Sequence, residues 1–146
     1  MLAIGSDHGG FRLKEAIKEY LAANQIGFCD FGTHSVDSVD YPDIAKTVAQ
    51  AVAAGECERG ILICGTGIGI SIAANKMKGI RAALCHDVFS AKMSREHNDA
   101  NILAMGERVI GQGLALMIVE TWLKSEFTGG RHENRVCKIT DMEQNR

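Results

Sequence analysis

The chain has 146 residues, of which 46% are apolar and 23% charged, so its size and composition are those of one globular domain with a proper core. Its formal net charge of -2 excludes bulk electrostatic attraction to nucleic acid or to a membrane surface. Its apolar runs are far too short to span a bilayer, and the opening MLAIGSDHGG lacks the basic and apolar regions of a signal peptide.

The first half of the chain alternates short apolar runs with helical stretches. Residues 2–5 are a predicted strand, and residues 11–24 a predicted helix, because their apolar positions recur at helical spacing. A second strand is expected at 26–31 and ends at Gly32. Pro42, a favoured first residue of a helix, begins a helix that extends to about residue 54.

The second half continues this alternation. Strands are expected at 60–64, 80–84 and 101–105, and helices at 70–77, 87–97 and 113–124. The tail from about residue 127 is more polar and is expected to include a short helix near 136–144. Such alternation is typical of a parallel sheet with right-handed crossovers and helices on both faces. We therefore predict an α/β fold, a doubly wound, five-stranded, Rossmann-like sheet, in a single domain over residues 1–146.

Helix 113–124 is apolar on more than one face, with Leu114, Met117, Ile118 and Trp122 among its side chains. A helix of this kind needs cover on two sides. We expect it to lie at a subunit interface; the alternative is that the C-terminal tail covers it.

The cysteines number five, and this odd count without a secretion signal indicates reduced thiols in a cytoplasm. No two cysteines have C-x-x-C spacing, and no two histidines have H-x-x-x-H spacing, so we expect no metal site. Cysteines other than Cys64 are interpreted as small apolar core residues.

A glycine-rich stretch, ICGTGIGISIAANK at 63–76, surrounds Cys64 at the end of the third predicted strand. Its amides can approach an anion closely, and the helix start that follows adds partial positive charge. Both effects favour a thiolate at Cys64 and an oxyanion beside it, as needed to remove a proton from a carbon next to a carbonyl. Three alternatives stay open: a nucleophilic thiolate, a nucleotide phosphate loop (although the Lys-Ser/Thr ending of a P-loop is missing), and a tight turn around a buried cysteine.

Further candidates follow the other strands. With the strand order 2-1-3-4-5, Asp7 and His8 after the first strand would share a crevice with Cys64 at the point where the order reverses. Arg131 and Arg135 are four residues apart, so on a helix they share a face and can grip a phosphate.

Together, SDHGG, D-F-G-T with D-Y-P, ICGTGIGISIAANK, R-E-H-N-D-A-N and G-G-R-H-x-x-R resemble the B-type ribose-5-phosphate isomerase family, which includes isomerases for allose and galactose 6-phosphates. The resemblance runs nearly end to end. It implies an aldose–ketose isomerase that needs no metal or cofactor, acts on a small sugar phosphate, and works as a homodimer, sometimes as a dimer of dimers.

The resemblance also assigns roles to residues. Cys64 matches the base that moves a proton between C1 and C2, while Thr66 and His97 match the groups that open the furanose ring, with His97 also the acid. The amide loop that holds the enediolate matches Gly65, Gly67, Ile68 and Gly69. The remaining substrate contacts match Asp7, His8, Asn98, Arg108, Arg131 and Arg135. Some members replace the cysteine by a later glutamate; that position is Ile70 here, so this chain is of the cysteine variety.

The expected reaction is interconversion of D-ribose 5-phosphate and D-ribulose 5-phosphate through a cis-enediolate. A hexose 6-phosphate isomerase remains an alternative, and a non-catalytic sugar-phosphate-binding regulator a weaker one. Because His97 and Asn98 precede the fifth strand whereas Cys64 ends the third, they should lie at opposite ends of a parallel sheet. We therefore expect an active site shared between two subunits.

Overall fold

The computed structural model describes residues 1–144, so the last two residues of the predicted tail lie outside the described part. Its centre is a five-stranded sheet in which all strands are parallel, in the order β2-β1-β3-β5-β4. The strands are β1 (Leu2–Ser6), β2 (Phe28–Asp30), β3 (Arg59–Cys64), β4 (Ala82–Leu84) and β5 (Ile102–Gly106). The predicted doubly wound, single-domain α/β fold is confirmed.

The last two strands lie in the opposite order to the one predicted. Strand β5 pairs with β3 on one side and with β4 on the other, which leaves β4 at the edge. The reason is burial, because every residue of β5 is buried whereas β4 has three residues, none of them fully buried. A strand that is apolar on both faces takes a central place in a parallel sheet.

Helices cover both faces of the sheet. They are α1 (Phe11–Ala23), α2 (Tyr41–Ala53), α3 (Ile68–Ala74), α4 (Val88–Glu96), α5 (Gln112–Lys124) and α6 (Arg131–Gln144), with a 3-10 turn at His8–Gly10. Helix α3 begins two residues earlier than predicted, directly after Gly67, and α6 begins five residues earlier, at Arg131. No described helix is long and apolar enough to cross a membrane.

Alternate residues of each strand feed two separate cores. In β3, Ile61 and Ile63 join the core that contains α1 and α5, whereas Leu62 and Cys64 join the core that contains α2 and α3. This is the period of two that a strand covered on both faces must show. It also places the Cys64 side chain on the α2–α3 face.

Four apolar side chains of α5 are buried within the chain. Ala115, Ile118, Val119 and Trp122 lie in the core that includes Leu21 of α1 and Ala91 of α4. Other apolar side chains of α5 stay exposed, Met117 to 58%. The C-terminal helix α6 is different, since none of its described residues is buried.

A buried ion pair ties α1 to the edge strand β2. Lys14 is fully buried, and its Nζ lies 2.5 Å from Asp30 Oδ2; Lys18 Nζ lies 2.8 Å from the same oxygen. Burial by itself raises the pKa of Asp30, but hydrogen bonds from both lysines and from the Gly32 amide bring it below its ordinary value. The carboxylate is therefore held in its charged form by the fold.

Candidate active site

Cys64 is the last residue of β3, and its thiol is held by the loop that follows. The side chain is buried, and the Gly67 amide donates a hydrogen bond to its Sγ at 3.0 Å. Gly67 reaches this position with φ of 76°, a left-handed conformation that favours glycine. The loop therefore holds a backbone N–H donor against the sulfur of Cys64, the residue predicted to be the base.

The segment after β5 forms the floor of this loop. The amides of Glu107 and Arg108 donate to the carbonyls of Cys64 and Gly65, both at 3.0 Å. Gly106 packs so closely that a Cβ there would lie 2.5 Å from the Thr66 carbonyl carbon. The segment after β5 therefore fixes the backbone of the cysteine loop, while Thr66 and Ile68 remain exposed.

Asp7 and His8 lie beside this loop, as predicted from their position after β1. Asp7 is buried and accepts the Gly9 amide at 2.9 Å, which orders the turn at His8–Gly10. That turn touches the cysteine loop, because a Cβ on Gly9 would lie 3.2 Å from the Gly65 nitrogen. His8 Nδ1 accepts the amide of Val39 at 3.2 Å, which leaves its other nitrogen available.

A cavity of about 440 Å³ opens next to these residues. It is lined by Asp7, His8, Ser38, Val39, Asp40, Tyr41, Pro42 and Asp43. Tyr41 also reaches the cysteine loop, because a Cβ on Gly69 would lie 2.8 Å from its hydroxyl oxygen. Asp40 and Tyr41 were not among the predicted site residues, although the D-Y-P motif that carries them was noted in the sequence.

Arg108 adds a guanidinium group, which can bind an anion, to the site. Its Nη1 lies 3.1 Å from where a Gly65 Cβ would be, so the guanidinium sits over the glycine loop. A second cavity, of about 280 Å³, separates it from His8 and Arg12. The lining also includes the carboxylate of Glu107, which accepts the Leu13 amide at 2.6 Å. The two guanidinium groups beside one small cavity suit a phosphate group.

The other predicted residues form a second cluster. His97 caps the end of α4, and its ring stacks on that of His132 with centroids 4.1 Å apart and planes 9° from parallel. Partial desolvation lowers the pKa of His132, as do the positive charges of His97, Arg131 and Arg135. These four side chains therefore lie close together, and Asn98 follows directly after His97.

Within one chain, the two clusters lie at opposite ends of the sheet. Gly60 pairs with Ile102 at the amino end of β5, and Cys64 pairs with Gly106 at its carboxyl end. These four steps along the strand span roughly 13 Å at ~3.3 Å per residue, and His97 lies beyond the amino end. The structure thus brings Cys64, Thr66, Asp7, His8 and Arg108 together, but not with His97. Among residues 1–144, no group of three or more His, Cys, Asp or Glu side chains could hold a metal ion.

The fold and this arrangement, a buried thiol in a glycine loop beside arginine side chains, are those of a small α/β enzyme of the sugar-phosphate isomerase class. The family described as Ribose/Galactose Isomerase matches residues 2–139. Ribose-5-phosphate isomerase B of Escherichia coli is 54% identical over 99% of this chain and 97% of its own. The chain therefore belongs to the ribose/galactose isomerase family, and the predicted family and isomerase activity are confirmed.

Solved structures agree with this assignment. Ribose-5-phosphate isomerase B of Clostridium thermocellum superimposes with a TM-score of 0.98 at 62% identity, covering 99% of this chain and 97% of that one. The enzyme of Mycoplasma genitalium, solved with bound ribulose-5-phosphate, superimposes with a TM-score of 0.95 at 41% identity, covering 99% and 97%.

Proposed function

We propose that this protein interconverts D-ribose 5-phosphate and D-ribulose 5-phosphate, with Cys64 as the base. The observation that carries the proposal is the buried Cys64 thiol, which accepts the Gly67 amide at 3.0 Å in a glycine loop. An aldose–ketose shift needs a base that reaches C2 and C1 and donors for the enediolate oxygens. The glycine loop offers both at one place.

Each step uses groups of the described chain. Thr66 and His97 open the furanose ring and expose the C1 aldehyde. The Cys64 thiolate takes the proton from C2, and the negative charge moves to O1 of a cis-enediolate that the loop amides hold. A proton then passes from the O2 hydroxyl to O1, which moves the negative charge to O2. The resulting thiol returns its proton to C1, and C2 becomes the carbonyl carbon of the ketose. Because the reaction only relocates protons, it requires no cofactor.

The phosphate is bound by cations from both clusters. Arg108 and His8 supply one side, next to the cysteine loop. Arg131 and Arg135 supply the other side together with His97, since all three act on His132 and so lie close to one another. Cations on two sides of one phosphate favour binding of the phosphorylated sugar over the free sugar.

The site becomes complete when two subunits associate through the edge strand β4. A two-fold axis beside β4 places the strands of the second subunit antiparallel to those of the first. The amino ends of one sheet then lie beside the carboxyl ends of the other. His97 of a second subunit then approaches Cys64. The roughly 13 Å between the two ends of β5 within one chain supports this arrangement.

Exposed apolar side chains surround that edge. Leu84 on β4 lies against Gly67, and Ile68 and Ile72 lie one turn apart on α3, with 38%, 52% and 56% of their surfaces exposed. Phe89, just beyond β4, is 72% exposed. Such a patch is typical of a subunit interface. It lies beside the cysteine loop, whereas α5, the interface expected from the sequence, packs on the opposite face of the sheet.

The proposed location is the cytoplasm, because all five cysteines are free thiols, an unusual state for an exported protein. Isomerisation of a hexose 6-phosphate, such as allose or galactose 6-phosphate, is the second candidate, because the family includes galactose isomerases.

A turnover assay decides between the substrates. The purified protein is given pentose 5-phosphates and hexose 6-phosphates separately, in deuterated water, and proton NMR follows both the ketose and deuterium at C1 or C2. We expect the highest kcat/KM with ribose 5-phosphate and solvent deuterium in the product. A higher kcat/KM with a hexose 6-phosphate contradicts the pentose assignment, and no turnover of any of them contradicts the function.

A further inference from the structure

His86 makes a hydrogen bond that the proposed catalytic steps do not use. It follows the short edge strand β4, and its Nε2 accepts the Gly106 amide at 2.9 Å. One residue earlier, β4 and β5 are joined by a regular backbone hydrogen bond, because the Cys85 amide donates to the Ala104 carbonyl at 3.1 Å. The imidazole therefore takes the place of the backbone carbonyl that a longer β4 would present to Gly106.

The peptide that His86 holds supports the cysteine loop directly. A Cβ on Gly106 would lie 2.5 to 2.7 Å from three backbone atoms of Thr66, and a Cβ on Gly67 would lie 3.0 Å from the Gly106 nitrogen. Because the two backbone segments pack this closely, we expect movement of the Gly106 amide to shift the Thr66–Gly67 peptide. The amide of Gly67 is the one that contacts Cys64 Sγ.

The hydrogen bond requires a neutral ring. A backbone N–H only donates, so Nε2 must carry a lone pair and the ring proton must be on Nδ1. Burial lowers the pKa of His86, and the neighbouring Asp87 carboxylate acts in the opposite direction. A protonated ring would point an N–H at the Gly106 N–H and break the contact.

The charged groups near the ring make their hydrogen bonds to other residues. Asp87 accepts the Ser90 amide at 2.6 Å, and Glu107, on the segment after β5, accepts the Leu13 amide at 2.6 Å. Arg108 lies over Gly65, and α3 carries no charged residue. The protonation state of His86 is thus governed by its burial and by Asp87.

We propose that neutral His86 is a positioning residue of the isomerase, holding Gly106 and through it the Thr66–Gly67 amides at the enediolate, and that its protonation releases them. The inference rests on the proposed function, because its effect on rate presumes that this loop stabilises the enediolate. The proposal predicts that activity falls in acid because His86 becomes protonated, although His86 does not touch the substrate.

Three variants separate this role from general stability. His86→Gln keeps an acceptor that does not titrate, His86→Leu fills the space without an acceptor, and His34→Gln is the control at a histidine whose side chain is 74% exposed. We expect His86→Leu to lower kcat about tenfold with little change in KM, since loop displacements well under 1 Å carry losses of this order. We expect His86→Gln to keep the wild-type kcat near pH 7.5 and to lose less activity than wild type as the pH falls below about 6.5.

The proposal is overturned if His86→Leu keeps the wild-type kcat, or if His86→Gln falls in acid as steeply as wild type. NMR gives a test that needs neither activity nor the leucine variant. In labelled wild-type protein, the Gly106 amide and the His86 ring nitrogens must titrate with one midpoint, below about 6.5; a Gly106 amide indifferent to His86 refutes the contact. Wild type that turns over no sugar phosphate refutes the proposed function, while the NMR result still decides on the His86 contact.

Discussion

Gly67 should be essential for catalysis, and Gly79 offers a matched comparison. Both glycines have left-handed backbones, with φ of 76° and 81°. A Cβ on Gly79 would meet nothing within 4 Å, whereas a Cβ on Gly67 would lie 2.6 Å from Leu84 Cδ1 and 2.7 Å from the Met105 carbonyl carbon. Replacing each by alanine therefore applies the same backbone strain, but only Gly67→Ala adds a steric conflict at the cysteine loop.

The two substitutions should differ in stability and more strongly in rate. Left-handed alanine costs about 1–2 kcal/mol at either position. The conflict with Leu84 and the β5 backbone adds about 1–3 kcal/mol at Gly67, as for other overpacked sites. Each kcal/mol lowers Tm by about 2–4 °C in a domain of this size. The Gly67 amide must also shift away from Cys64 Sγ, and a displacement approaching 1 Å costs about 10²-fold in kcat.

The assay is ribose 5-phosphate turnover together with thermal unfolding of both variants. We expect Gly79→Ala to retain nearly the full wild-type kcat at 25 °C. Gly67→Ala should lose about 10²-fold while remaining folded. Equal kcat values for the two variants would show that the geometry of the cysteine loop does not control the rate.

Three further predictions concern the base, the phosphate and the fold. Cys64→Ala should lower kcat by about 10²–10⁴-fold while calorimetry still detects sugar-phosphate binding; near-normal exchange of the C2 proton with solvent would remove Cys64 from the mechanism. Arg135→Ala should raise KM more than it lowers kcat, as expected for a group that binds ground state and transition state alike, and an unchanged KM would contradict the phosphate role. Asp30→Asn removes the carboxylate nearest to the buried Lys14, which keeps only the partly exposed Glu15 carboxylate at 3.2 Å. The substitution should lower the free energy of unfolding by up to about 3–5 kcal/mol at pH 7. Because the folded pKa of Asp30 is lowered, its stabilisation is present above the unfolded pKa of about 3.9 and lost as the pH falls; urea titrations at several pH values should show a weaker acid dependence in Asp30→Asn.

The alternation of strands and helices could be predicted from the sequence because the spacing of apolar residues and the glycine and proline residues that end elements are local signals. The strand order could not, because it depends on which strand the other elements cover. Residues 80–84 and 101–105 are each apolar except for one residue, Arg81 and Asn101, yet only β5 is buried throughout. The edge strands are also shorter than predicted: β2 and β4 have three residues each, because a strand with one neighbour loses pairing sooner.

The site was predictable where its residues follow strands directly. Asp7, His8 and Cys64 come at carboxyl ends, and such ends meet at one edge of a parallel sheet. Asp40 and Tyr41 were missed because they lie at a loop end whose path is set by tertiary contacts. The position of His86 after β4 was visible in the sequence, but its contact with Gly106 depends on the exchanged strand order, which places β4 next to β5.

We propose that each active site takes Cys64 from one subunit and His97 from the other, and mixing of inactive subunits tests this sharing. Cys64→Ala and His97→Asn are each expected to be nearly inactive alone. Unfolding and refolding the two variants together should give mixed dimers in which one of the two sites is intact. Random assembly makes about half of the dimers mixed, so about a quarter of the wild-type activity should return. If native mass spectrometry detects the mixed dimers and no activity returns, His97 acts on the Cys64 of its own subunit, and the shared site is wrong.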